Sequence, residues 1–179
     1  MKRFIKSIKQ SLDKKNWYAA LTMALTLPDI CARFEYPDVN SSQKRYISWY
    51  NKYMLKSYKH NIGPKEEEYI FLSGNDCYSL RCSYLHQGED EISNQRAQEK
   101  INKFMFITPP PWGSLHLNLK QSCDGYSLLQ LQVDKFCEDV CTAVEVWEND
   151  FINKDMQNRL KLDSMLNIYD VSINSLFRA

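Results

Sequence analysis

The sequence predicts a mostly α-helical fold of the α+β class, with a small antiparallel β-sheet inserted before the last long helix. Three observations predict it. Apolar residues recur at helical spacing through most of the chain up to Gly88. The spacing shortens to two residues over roughly 103–132. It returns to the helical period from Val133 to Phe151.

Residues 2–14 carry Phe4, Ile5, Ile8 and Leu12 between lysines, which predicts a short amphipathic helix. Asn16 is placed to cap a second helix over 17–33, through Trp17, Ala20, Leu21, Ala24 and Leu25, with a kink at Pro28. Ser41 in NSSQ is a cap for a third helix over 42–57, in which Tyr46, Trp49, Tyr50, Tyr53 and Met54 share one face. HNIGPKEEEY reads as a charged connector. A fourth helix over 75–87 starts at the turn Ser73-Gly74-Asn75-Asp76 and stops at Gly88. Strands are predicted near 103–108, 115–120 and 126–132, the last two joined by the hairpin signal Asp124-Gly125. Val133, Phe136, Cys137, Val140, Cys141, Val144, Trp147 and Phe151 form the stripe of a long helix over 133–150, and residues 153–176 are weakly helical. No repeat or linker divides the 179 residues, so one domain over 1–179 is expected, with the β insertion at about 103–132.

The bulk composition narrows the function classes. Apolar residues are 44% and charged residues 25%, and the net charge is +1, so no global field draws the chain to nucleic acid. Any such contact has to come from a local patch. The six cysteines are dispersed and contain no C-x-x-C, which argues for reduced thiols and a cytoplasmic setting. Cys82 with His86, or Cys137 with Cys141, has chelating spacing, but no second pair completes either set. Neither a metal nor another cofactor is expected. WYAALTMALTL is too short to span a bilayer, and no apolar stretch follows the basic start directly, so neither a membrane helix nor a signal peptide is expected.

The segment NDCYSLRCSYLHQG carries the candidate site. Arginine suits an anionic phosphoryl transition state and histidine suits proton transfer near neutral pH. Arg81 and His86 lie five positions apart, about 140° around a helix and roughly 7.5 Å along it. Two readings stand side by side. In one, Arg81 pairs with Asp76 or another carboxylate and His86 caps the helix C-terminus. In the other, the two line an active-site groove, with Asp76 and Tyr84 in support. Lys44, Arg45 and Lys52 belong to a basic, aromatic-rich stretch that is either a solvated face or a phosphate-binding rim. Asp29 and Glu35 are expected to pair with arginines, His116 to face solvent from a strand, and His60 to sit in an exposed loop.

RCSYLH has the form R-x4-H, inside a helix of a mostly helical chain. In this it resembles the HEPN superfamily, over about residues 16–88 and the long helix from Val133. The resemblance implies a HEPN-like helical bundle, often a homodimer with the two motifs face to face. It implies a metal-independent endoribonuclease acting on RNA, of the kind found in toxin–antitoxin and phage-defence systems, with Arg81 and His86 catalytic and an antitoxin or other regulatory protein as partner. Members without nuclease activity imply the alternative, a module that binds RNA, nucleotides or protein. The position after the arginine, often polar in the family, is Cys82 here.

Overall fold

A computed structural model describes residues 1–168. Its elements follow the order α1 (Lys2–Asp13), α2 (Trp17–Glu35), α3 (Ser42–Tyr53), β1 (Lys59–Ile62), β2 (Glu67–Ile70), α4 (Gly74–Gln87), β3 (Lys103–Ile107), β4 (Asn118–Gln121), β5 (Ser127–Gln132), α5 (Val133–Lys154) and α6 (Gln157–Asp163). The fold is mostly α with a small β component, as the change of period predicts.

The helix starts follow local chemistry. The side chain of Asn16 accepts from the Ala19 amide at 3.4 Å and that of Ser41 from Lys44 at 3.3 Å. Ser73 does the same for Asp76 at 3.1 Å. Gly88 ends α4 with φ +73°, a left-handed cap that glycine adopts without strain. Gly74 serves a different need, because a Cβ there would lie 3.0 Å from Asn51 Oδ1 and 3.3 Å from Tyr50 Cδ1. Its missing side chain lets the start of α4 settle against α3.

Helix α2 is the hub and packs against α1, α3 and α5. The core between them is aromatic, with Trp49, Trp147, Tyr46, Tyr50, Tyr58, Phe104 and Phe136 fully enclosed. The buried hydroxyls are placed: Tyr50 donates to Leu72 O at 2.9 Å, and Tyr58 to Asp139 Oδ2 at 3.1 Å. Trp147 stacks on Phe151 with ring centroids 5.0 Å apart and donates its indole N–H to Glu35 Oε2 at 3.1 Å. Glu35 also meets Lys52 at 3.1 Å and Lys154 at 2.5 Å, joining α2, α3 and α5. The expectation that Glu35 pairs with an arginine is corrected: its cations are lysines.

The predicted hairpin is present as β4 and β5, with Asp124-Gly125 in its loop and Gly125 at φ +85°. Strand β5 is central, in the order β3-β5-β4, and β3 runs parallel to it in register Phe104↔Leu129 and Phe106↔Leu131. The sheet is therefore mixed, its antiparallel part being β4–β5.

Five expectations are corrected. HNIGPKEEEY is not a bare connector: β1 and β2 pair antiparallel within it, and His60 sits on β1, exposed. Both faces of β1 are solvated, so no alternation marks it. The third helix stops at Tyr53 and continues as a 3₁₀ turn over Leu55–Tyr58. The strand expected from Leu115 begins only at Asn118, because Leu117 turns the chain with φ +59°. His116 then faces inward. Its Nδ1 accepts from the Gln132 amide at 3.1 Å, and its Nε2 lies 3.7 Å from Asp139 Oδ2. The expected weak helix over 153–176 is present as the last residues of α5 and the short α6; residues 164–168 are not helical, and those from 169 on lie outside the described residues.

Candidate functional site

The site is built on α4, which lies against α3 and α2. Tyr78 looks to α3, where its ring meets Tyr46 edge-on at 5.4 Å and its hydroxyl is 3.3 Å from Ser42 Oγ. Arg81 and Tyr84, one helical turn apart, look to α2. Arg81 Nη2 donates to Asp29 Oδ2 at 2.9 Å, and the Tyr84 hydroxyl is 3.3 Å from Thr22 Oγ1. Both contacts hold α4 on α2.

Arg81 and His86 meet. Arg81 Nη1 lies 3.3 Å from His86 Nε2. A guanidinium only donates, so this contact makes Nε2 the acceptor and leaves the ring proton on Nδ1. The Nε2 electron pair is thereby engaged by the guanidinium and becomes free only when Arg81 Nη1 turns away. His86 is exposed in the last turn of α4, whereas the Arg81 side chain is only 18% exposed. Burial opposes the guanidinium charge, but Asp29, and after it Cys82 and Tyr78, favour it more strongly, so Arg81 stays charged. Cys82 Sγ lies 3.9 Å from Arg81 Nη1.

Asp76 is not brought to this pair. It is 1% exposed and hydrogen-bonds neither Arg81 nor His86. Its carboxylate accepts the amides of Glu99 at 2.7 Å and Lys100 at 3.2 Å, and the Ser73 hydroxyl at 3.2 Å. Burial pushes its pKa up, against these bonds. Asp76 therefore ties the 89–102 segment to the start of α4.

The basic residues of α3 separate. Lys44 is exposed in the first turn. Lys52 is tied to Glu35 and lies 4.8 Å from the Tyr53 ring centroid. Arg45 grips the α2–α3 loop, donating to the carbonyls of Val39 and Asn40. A shallow cavity of about 280 Å³ opens beside it, lined by Asp29, Ile30, Arg33, Phe34 and Arg45. Asp29 is shared between this cavity and Arg81. Arg33 is the residue that reading the sequence misses, although its place four residues after Asp29, on the same face of α2, is a signal that could have found it.

Among the described residues no three His, Cys, Asp or Glu side chains are grouped as a metal would require, and no helix is long and apolar enough to cross a membrane. All six cysteines are unpaired. No family model, curated protein or solved structure matches the chain.

Proposed function

We propose that the chain is a metal-independent endoribonuclease of the HEPN type, acting as a two-fold homodimer. The observation that carries this reading is the contact between Arg81 Nη1 and His86 Nε2 at the exposed end of α4. The pair joins a cation to an exposed imidazole. RNA cleavage by its own 2′-hydroxyl asks for both. His86 Nε2 takes the proton of the 2′-hydroxyl as that oxygen attacks the adjacent phosphorus. Arg81 turns its Nη1 from the imidazole to the phosphoryl oxygens and holds the charge that develops there. The bond from phosphorus to the 5′-oxygen breaks, leaving a 2′,3′-cyclic phosphate and a 5′-hydroxyl. The departing oxygen needs a proton, and a two-fold axis through the motif brings a second His86, which supplies it when that imidazole carries protons on both nitrogens.

A specific observation favours a second reading. Arg81 already has a carboxylate partner in Asp29 at 2.9 Å, which suits a structural arginine in a non-catalytic module that binds RNA, a nucleotide or a protein. Gel-resolved digestion of single-stranded RNA separates the two. His86→Ala is expected to lose about 10² to 10⁴ in rate, and Arg81→Ala about 10² to 10³. Each is checked for a native-like melting transition, and cleavage is expected to persist in EDTA. Sedimentation is expected to give a dimer at micromolar concentration. Equal cleavage by folded His86→Ala refutes the mechanism, and wild-type protein that cleaves no RNA leaves the binding module.

A further inference from the structure

We propose that the cavity between α2 and α3 is a second anion subsite, one that takes a backbone phosphodiester of single-stranded RNA beside the phosphate held by Arg81. The proposal rests on the RNA reading above for its ligand and on a separate set of residues for its geometry.

Arg33 and Arg45 face the cavity from two helices, and each is already pinned. Arg33 Nη1 donates to Pro37 O at 3.2 Å. Arg45 Nη1 donates to Asn40 O at 3.2 Å and also to Val39 O. Both anchors are carbonyls of the α2–α3 loop. Among the described residues each guanidinium makes its hydrogen bonds through Nη1, which leaves Nη2 of both unengaged, whereas Nε of Arg45 is shut off from solvent and from a ligand. Two planar cations are thus held in place with donors to spare. Much of the rotamer entropy that a flexible arginine loses on binding is already spent in the free protein.

The charges around the cavity favour an anion. The guanidiniums of Arg33 and Arg45 line the cavity with a single carboxylate, Asp29, which is engaged with Arg81 at 2.9 Å. Asp38 lies in the same loop but does not line the cavity. Glu35 is held by Lys52, Lys154 and Trp147. The rest of the lining is Ile30 and Phe34, both partly buried and without charge. A cavity of about 280 Å³ is ample for a phosphate group. Because Asp29 belongs both to the cavity wall and to the Arg81 ion pair, a strand lying across Asp29 meets Arg81 on one side and the two pinned arginines on the other. Asp29 itself repels phosphate, so it separates two anion positions.

The test is anisotropy of a fluorescein-labelled, uncleavable 2′-O-methyl oligouridylate over a salt series. The double variant Arg33→Gln/Arg45→Gln is expected to bind about tenfold more weakly at low salt. The slope of log affinity against log salt is expected to fall by about 1.4, roughly 0.7 for each lost contact on a single strand. Arg45 holds the α2–α3 loop, so melting is followed for each protein. If the double variant does not fold, Arg33→Gln alone, at an exposed side chain, carries the test with a fall of about 0.7. Arg33→Lys keeps the charge but not the fork, and is expected to keep the slope while losing affinity. Folded Arg33→Gln with wild-type affinity and slope overturns the subsite, as does wild-type protein that does not bind the oligonucleotide at low salt. If wild type cleaves no RNA but Arg33→Gln still lowers the slope, the nuclease reading falls and the subsite stands.

Discussion

Removing the Asp76 carboxylate tests whether it is a structural clasp or a member of the active site. In Asp76→Ala the amides of Glu99 and Lys100 lose the acceptor they share, and Ser73 loses a partner. Hydrogen bonds to a charged group contribute about 1.5–3 kcal/mol each, so the two amides represent about 3–6 kcal/mol in gross terms. Burial of the carboxylate offsets part of this, as its raised pKa shows. Much of the 89–102 segment is at the surface, so its amides reach water once it lifts. The net loss is expected to be about 3 kcal/mol, a fall in Tm of about 6–12 °C for a chain of this length. A second measurement follows from the sign of the shift. A carboxyl whose folded pKa is raised binds its proton more readily in the folded state. Its contribution to stability is full below the ordinary carboxylate range and declines as pH rises through the folded pKa. The cost of the substitution is therefore expected to shrink from acid to neutral pH. Urea denaturation across that range, with hydrogen exchange at Glu99 and Lys100, reads both effects. Unchanged melting together with unchanged protection of the two amides would refute the clasp. Any cleavage activity is expected to survive in the folded variant.

Two further outcomes follow from buried groups. Burial alone would raise the Glu35 pKa, but the bonds from Lys154, Lys52 and Trp147 bring it below the ordinary value. Glu35→Gln is expected to cost about 1–2 kcal/mol at neutral pH, since both lysines are half-exposed, and the cost should vanish as pH falls through the carboxylate range; a cost independent of pH in urea melts argues against the ion-pair account. Burial pushes the Cys77 thiol up to about 12 and that of Cys141 up to about 11, and it raises Cys31 and Cys137 as well. A thiol reagent at mildly alkaline pH is expected to modify Cys123 and then Cys82 in the native protein, and all six after unfolding; rapid native labelling of Cys31 or Cys77 would contradict the packing.

What the sequence discloses is mostly local. Asn16, Ser41, Ser73 and Gly88 mark helix ends because a cap is a contract between residues three or four apart. Asp124-Gly125 marks its hairpin for the same reason. The parallel pairing of β3 with β5 leaves no such mark, since no turn joins them, and β1 is invisible because both its faces are wet. In the site, the 140° between Arg81 and His86 describes their Cα atoms, whereas a long arginine side chain reaches along the helix to close the gap. The spacing could not say which carboxylate takes Arg81. Asp76 is nearer in sequence, yet it turns to the 89–102 segment, and Asp29 arrives from another helix. Arg33 and Arg45 converge only because α2 and α3 pack.

The arrangement of the core also sets an order for synthesis. Helix α2 is the hub, yet one of its main partners, α5, is far along the chain: the Glu35–Lys154 contact spans 119 residues. A ribosome adds about 5–20 residues per second, so the α2 surface meant for α5 waits on the order of ten seconds for its cover. During that interval α1, α3 and α4 can assemble around α2, but the groove that receives Trp147 and Phe151 stays open. The nascent chain is thus most vulnerable late, with nearly all of its helices made and one greasy seam unsealed. Emergence of α5 then supplies the cover.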